Sequence, residues 1–409
     1  MIRFDFEPRD YETYEGCHNY WFLCKPIYMM LLMTLYKQEM IEYLSDCSEY
    51  LSKPKIQHLT EYSRLDLLKV VYSETNSFLG INCVLDEAKS FEIIKYLTEM
   101  GASCSTVAMD NAVRRRDFEI VKWLHLNRTE GCSTEAMDSA ASCGNMDMVE
   151  WLHLNRSEGC TTSAMNWAPR TGHFEVVKFL HYYRTEGCTA EAMDRAAGSG
   201  YLEIVKFLHY NRTEGCTTDA MDEAAKNGNL EIVKWLHLNR TEGCSNRAMD
   251  YAALYGHIEI VKFLHVNRSE GCTTNAMDGA AEKGYYEVVK WLHLNRSEGC
   301  KYALVGAARY GDMKITRYLV ENGLGMSKIG QAVDEAKVAQ YNQKSPEILE
   351  KKRQVINYLE TVRPYFFSLS FSFFSFLMNS LACFILLVTV SAQGSSWSVV
   401  ADSKSKLTN

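Results

Sequence analysis

The sequence predicts an all-α solenoid of stacked two-helix units. Three observations carry the prediction. Cysteine recurs at a constant spacing of 28 residues, from Cys104 through Cys132, Cys160, Cys188, Cys216, Cys244 and Cys272 to Cys300. Two short segments with helical apolar spacing follow each cysteine, and a glycine separates them. A unit this short cannot bury its own apolar face, so it must stack on its neighbours, and the product is a long surface.

The unit that starts at Cys216 shows each element in order. Thr217 or Thr218 can accept backbone N–H bonds as a helix N-cap. Ala220, Met221, Ala224 and Ala225 then form a stripe on one helical face, small enough to let a neighbouring helix come close. Gly228 ends that helix, because glycine turns sharply at little steric cost. The second helix is predicted from Leu230, with Glu231 at the positive end of its dipole. Leu230, Ile232, Val233, Trp235 and Leu236 give it a wide apolar face, Lys234 can pair with Glu231, and Asn239 is its expected stop.

The unit resembles the ankyrin repeat. The segment Asp219-Ala220-Met221-Asp222-Glu223-Ala224-Ala225 stands where that family has Thr-Pro-Leu-His-x-Ala-Ala, and Gly228-Asn229-Leu230-Glu231-Ile232-Val233-Lys234 matches the opening of its second helix. The resemblance runs from about Ser105 to Gly323, more than half the chain. It implies an ankyrin-type solenoid that binds other proteins. The repeat is 28 residues long rather than about 33, and the shortfall falls between one unit's second helix and the next unit's first. The β-hairpin fingers of the family are therefore expected to be clipped to bare turns, leaving little or no β-structure.

The array decays at both ends, as helical caps require. Arg116 replaces the glycine of the first full unit, and residues 84–97 read as a shortened repeat. The last ladder unit loses a residue before Gly311. A further degenerate unit opens at Gln331–Ala336 and closes at Val355–Leu359, with Ser345-Pro346-Glu347 as a helix start in the insertion between them. The expected organisation is an N-terminal helical region or cap over 1–80 (helices near Ile27–Leu44 and Leu65–Val71), the array over 81–323, and a C-terminal repeat or cap over 324–363. An apolar segment over 364–391 and a disordered tail over 392–409 complete it.

Composition narrows the function. A formal charge of −7 argues against nucleic-acid binding. Stacked helical units lie roughly 8–10 Å apart, beyond the roughly 7 Å reach of a disulfide, so the ladder cysteines read as small buried hydrophobes in a reducing, cytoplasmic compartment. No secretory signal opens the chain, and the recurrent Asn-Arg-Thr/Ser at Asn127, Asn155, Asn211, Asn239, Asn267 and Asn295 reads as a duplicated turn rather than a glycosylation site. The histidine column from His125 to His293 supplies one ligand per repeat, whereas zinc needs about four around one ion. Half-buried structural histidines are expected, with no metal and no cofactor. Nucleophile elbows, zinc-protease motifs and phosphate loops are absent from the sequence, so the array is not expected to be an enzyme.

Positions that differ between units while the frame stays fixed are the candidate interface. They lie three, seven, ten and eleven residues after each ladder cysteine, on one face of the first helix. Glu135, Ser139, Trp167, Arg170, Arg195, Glu223, Lys226, Arg247, Tyr251, Leu254, Tyr255 and Lys283 are the candidate partner-binding residues. That face is expected to be exposed and concave. Trp167, Tyr251, Leu254 and Tyr255 are large side chains of the kind that anchor interfaces. Pro169 replaces a helix alanine and is expected to shorten its helix.

Phe366–Val390 carries no charge and is long enough to span a bilayer. Lys351, Lys352, Arg353 and Arg363 before it would put the array on the cytosolic side of a tail-anchored protein. Against a span, Phe366–Phe376 is almost only Phe, Ser and Leu, as pyrimidine-rich DNA encodes. Met378 onward reads as a separate signal peptide, consistent with fusion of two genes. Both readings stand. The expected function is non-enzymatic protein binding, by a soluble or membrane-anchored adaptor; catalysis by residues 1–80 is a remote third reading.

Overall fold

The computed structural model describes residues 83–341, Gln343 and 345–364, together with Leu65 and Lys69. The expected helix over Ile27–Leu44, the apolar run 366–390 and the tail 392–409 lie outside the described residues. Among the described residues there is no strand, and no helix is long and apolar enough to cross a membrane.

Two compact units are formed, one ending at Ala164 and the other beginning at Met165. In the first, the 3-10 turn Val84–Glu87 and the helix Phe91–Glu99 make the shortened repeat. Helix pairs Val107–Arg114 with Phe118–Asn127, and Thr134–Ser142 with Met146–Asn155, follow it. The helix Thr162–Trp167 carries the boundary. The second unit continues with the pairs Glu191–Ser199 and Leu202–Asn211, Thr218–Lys226 and Leu230–Asn239, and Asn246–Leu254 and Ile258–Asn267. Thr274–Lys283 with Tyr286–Asn295, and Ala303–Tyr310 with Met313–Glu321, complete the ladder. Ile329–Tyr341 and a helical stretch over 346–364 lie beyond it.

Each element follows from its residues. Thr217 caps its helix by accepting the Asp219 N–H at 3.1 Å. Gly228 then reverses the chain at φ 80°, in the left-handed region that costs other residues about 1 kcal/mol or more. Where Arg116 takes the glycine's place it adopts φ 61° all the same, and its guanidinium donates to the Cys143 carbonyl at 3.2 Å. The small alanines do what their size predicts: Ala220, Ala224 and Ala225 are almost fully buried against neighbouring first helices, and Ile232, Val233 and Leu236 bury the second helix. Pro169 cannot supply the N–H that a continuing helix needs. The helix stops at Trp167, and Ala168–Thr171 is a 3-10 turn ending at Gly172.

The clipped connections are held without strands. Arg240 and Glu242 form an ion pair across the turn, and Thr241 N–H donates to the same carboxylate at 3.1 Å. Arg212–Glu214, Arg268–Glu270 and Arg296–Glu298 repeat the arrangement. Each arginine lies over the glycine of the preceding unit: a methyl group on Gly215 would sit 2.6 Å from Arg240 Nη2. Burial raises the Glu242 carboxyl, but the Arg240 guanidinium and backbone N–H groups more than offset it and hold the group at about 2, against an ordinary 4.5.

A carboxyl held low in the folded state contributes stability that is complete above its unfolded value and is lost as pH falls through its folded value. Glu242→Gln is therefore expected to lower the urea midpoint near neutral pH, with the gap to the parent closing between about pH 4.5 and about pH 2. Urea titrations of both chains across that range check this.

Candidate functional site

Three columns run through the repeats, and all three are structural. The rings of His125, His181, His209, His237, His265 and His293 each meet, edge-on, an aromatic ring of the next repeat, as His209 does Trp235 at 5.1 Å and His237 does Phe263 at 5.5 Å. Arg240 Nη1 lies 3.3 Å from His209 Nδ1, which must accept because guanidinium has no lone pair to offer. Cys216 and Cys244 form no disulfide, and burial pushes their thiols up, to about 11 and about 12. Such thiols stay protonated and unreactive near neutral pH. Among the described residues no three His, Cys, Asp or Glu side chains gather as a metal site would require.

The Asn-Arg-Thr/Ser sequence has a folding role. Asn239 Nδ2 donates to the Trp235 carbonyl at 2.8 Å, closing the end of the second helix, and Asn127, Asn155, Asn211, Asn267 and Asn295 do the same in their repeats.

The third column went unread in the sequence. Asp222 accepts the Ser245 N–H at 2.9 Å and its hydroxyl at 2.5 Å, and Ser245 in turn caps the helix Asn246–Leu254. Asp110 with Ser133, Asp138 with Thr161, Asp194 with Thr217 and Asp250 with Thr273 repeat the bridge. Each aspartate thus fixes the first helix of the following repeat. At one position the residue is Asn166, which uses both ends of its amide on Thr189. At Asp278 no hydroxyl follows, and the carboxylate takes the Lys301 and Tyr302 N–H groups instead. The available signal was a polar residue at one fixed place inside the small-residue stripe.

The variable face divides into two kinds of position. Glu135, Arg170, Arg247, Tyr255 and Lys283 are exposed, and Trp167 is 38% exposed. Ser139, Arg195, Glu223, Lys226, Tyr251 and Leu254 are half-buried rather than fully open. The reason is a stagger between repeats: the residue ten after one cysteine abuts the residue seven after the next. Leu254 packs over Gly279, where a methyl group would lie 2.8 Å from its Cδ1, and Glu223 packs over Gly198. Lys226 Nζ lies 5.4 Å from the Tyr251 ring centre. A large residue on one side is met by glycine or by a stacking partner on the other, so these positions vary in pairs.

Two clusters result. Around Trp167, the Arg195 guanidinium stacks at 3.7 Å and Arg170 lies at 5.1 Å, while Arg195 also bonds Glu191 at 2.8 Å. Around Tyr251, Lys226 and Arg247 flank the ring, and Arg247 bonds both the tyrosine hydroxyl and Asp219 at 3.3 Å. Stacking and ion pairs hold these long side chains in place.

The comparison with known families decides what this frame is. The family model described as ankyrin repeats (many copies) matches residues 193–237, 221–265 and 249–293. Residues 193–293 are ankyrin repeats. The three overlapping matches are offset from one another by one 28-residue period, so the family's repeat runs in step with the cysteine ladder. No curated relative matches the chain. The ankyrin frame indicates a protein–protein interaction module.

Proposed function

We propose that the ankyrin array binds a partner protein along the face built by the first helices, with the Trp167 and Tyr251 clusters as its anchors. One observation carries the reading: on a frame that repeats almost residue for residue, large aromatic and cationic side chains concentrate at the few positions where repeats differ. Preorganised aromatic and arginine side chains are the groups that dominate binding energies. Nothing in this arrangement gathers a nucleophile with a base, so binding rather than catalysis is the proposed activity, on the cytosolic side of the cell. The charge-free run Phe366–Val390 supports a second form of the same reading, an adaptor anchored to a membrane. The anchored form predicts that the full chain pellets with membranes and survives alkaline extraction; release into the supernatant would refute it.

Proximity labelling from the array supplies the partner, and purified binding then tests the face. Trp167→Ala and Tyr251→Ala are each expected to weaken the complex by about 2 kcal/mol or more. His237→Ala, which removes the ring packed on Phe263, is the contrasting control and should disturb folding before binding. If the two aromatic variants unfold the array while residual affinity is unchanged, the clusters are packing elements and the interface lies elsewhere.

A further inference from the structure

A second surface, on the opposite helix of each repeat, is built by repetition rather than by variation. Twenty-two residues after each ladder cysteine from Cys104 to Cys272 stands a large apolar side chain that the fold leaves open. In the second unit these are Tyr182, Tyr210, Leu238, Val266 and Leu294, which are 65%, 71%, 80%, 77% and 67% exposed. The first unit carries the same feature at Leu126 and Leu154. Each of the five in the second unit lies on the outer side of its second helix, seven residues after a glutamate and four after a lysine, as Leu238 follows Glu231 and Lys234. In one interval a half-buried ring lies between rungs: Tyr182 meets Phe207 of the next repeat at 6.4 Å between ring centres. The exposed residues thus form an apolar strip of one side chain per repeat, bordered by ion pairs such as Glu203–Lys206, Glu231–Lys234 and Glu259–Lys262.

Single exposed leucines need no explanation, but an apolar strip rimmed by charge marks an interaction surface. We propose that the strip docks a second copy of this chain, in antiparallel register about a twofold axis at Leu238. Two observations select that occupant. A protein partner that meets side chains spaced by one repeat needs the same spacing, and the array itself has it. The area also fits: five such side chains expose on the order of 500 Å², the apolar centre of an interface of about 800 Å² per partner, with the Lys–Glu borders as its rim. Placing the axis at Leu238 sets Tyr182 opposite Leu294, Tyr210 opposite Val266 and Leu238 opposite itself. It is the register that leaves no rung of the second unit unpaired. The first-helix face stays free for another protein, so this proposal does not depend on that assignment.

The test is sedimentation of the full chain with Leu238→Lys and Leu238→Glu. The parent is expected at twice the chain mass. Each variant should dissociate on the order of 100-fold more readily or further, because a twofold interface carries the substitution twice. Both should keep the parent's helical signal, and should melt where the parent melts once it is diluted to single chains. Mixed in equal amounts, they should return to twice the chain mass, since lysine then faces glutamate. A monomeric parent, a dimer untouched by Leu238→Lys, or a mixture that stays monomeric would each overturn the proposal. So would a monomeric parent that binds anionic vesicles and loses them on Leu238→Glu, which would assign the strip to a lipid surface.

Discussion

Leu236→Ala is expected to cost about 2–5 kcal/mol, because truncating a buried leucine loses its transfer energy and leaves a cavity that packed helices refill only in part. Leu236 is 1% exposed, as is its equivalent in every repeat from Leu124 to Leu292. The same helix supplies the comparison. Leu238, two residues on, is 80% exposed, and at dilutions where the chains are separate Leu238→Ala should change stability by about 0.5 kcal/mol or less. Chemical denaturation of both variants measures the contrast. Its spatial pattern tests the solenoid: in a one-dimensional stack each unit is stabilised by its neighbours. Hydrogen exchange should quicken most in the repeats on either side of Leu236 and little at the ends of the array. Equal loss of protection everywhere would mean that the chain unfolds as one body.

The two leucines also show what the sequence made legible. Period, helix boundaries and the buried face of each helix could all be read, because each follows from spacing alone. Gly228 and Thr217 punctuate the first helix where their chemistry predicts, and Ile232, Val233 and Leu236 point inward. Even the missing fingers followed from counting residues. Contacts that cross from one repeat to the next were not legible. Asp222 looks like an ordinary surface aspartate until Ser245, 23 residues later, is placed beside it. Leu254 and Gly279 look like independent free choices until the stagger puts one over the other. For the same reason the variable face was expected to be wholly open, although half of its candidates are partly covered by the adjoining repeat. The exposed strip was missed although Leu238 stands four residues after Lys234 and seven after Glu231, a helical spacing that puts it on their outward side.

The aspartate bridge leads to the second large effect. Asp222→Ala is expected to cost about 2–3 kcal/mol, since it strands the Ser245 N–H and hydroxyl in a partly buried site, each worth roughly 1–3 kcal/mol when left unpaired. Asp222→Asn should be far milder, because Asn166 already fills the equivalent place, accepting the Thr189 N–H and donating to its hydroxyl. The pair separates geometry from charge. Burial raises the Asp222 carboxyl above its ordinary value, against the opposing pull of the Ser245 hydroxyl and N–H. A carboxyl raised in the folded state favours the protonated form there, so its burden on stability is greatest above the folded value and is relieved as pH falls through it. The asparagine variant carries no such burden. Its stability relative to the parent should therefore be best near neutral pH and should decline as the solution is acidified, whereas the alanine variant should be worse than both throughout. Urea midpoints of the three chains at neutral and mildly acidic pH decide the matter. An alanine variant as stable as the asparagine one would show that the bridge between repeats contributes nothing, and that the fixed aspartate requires another explanation.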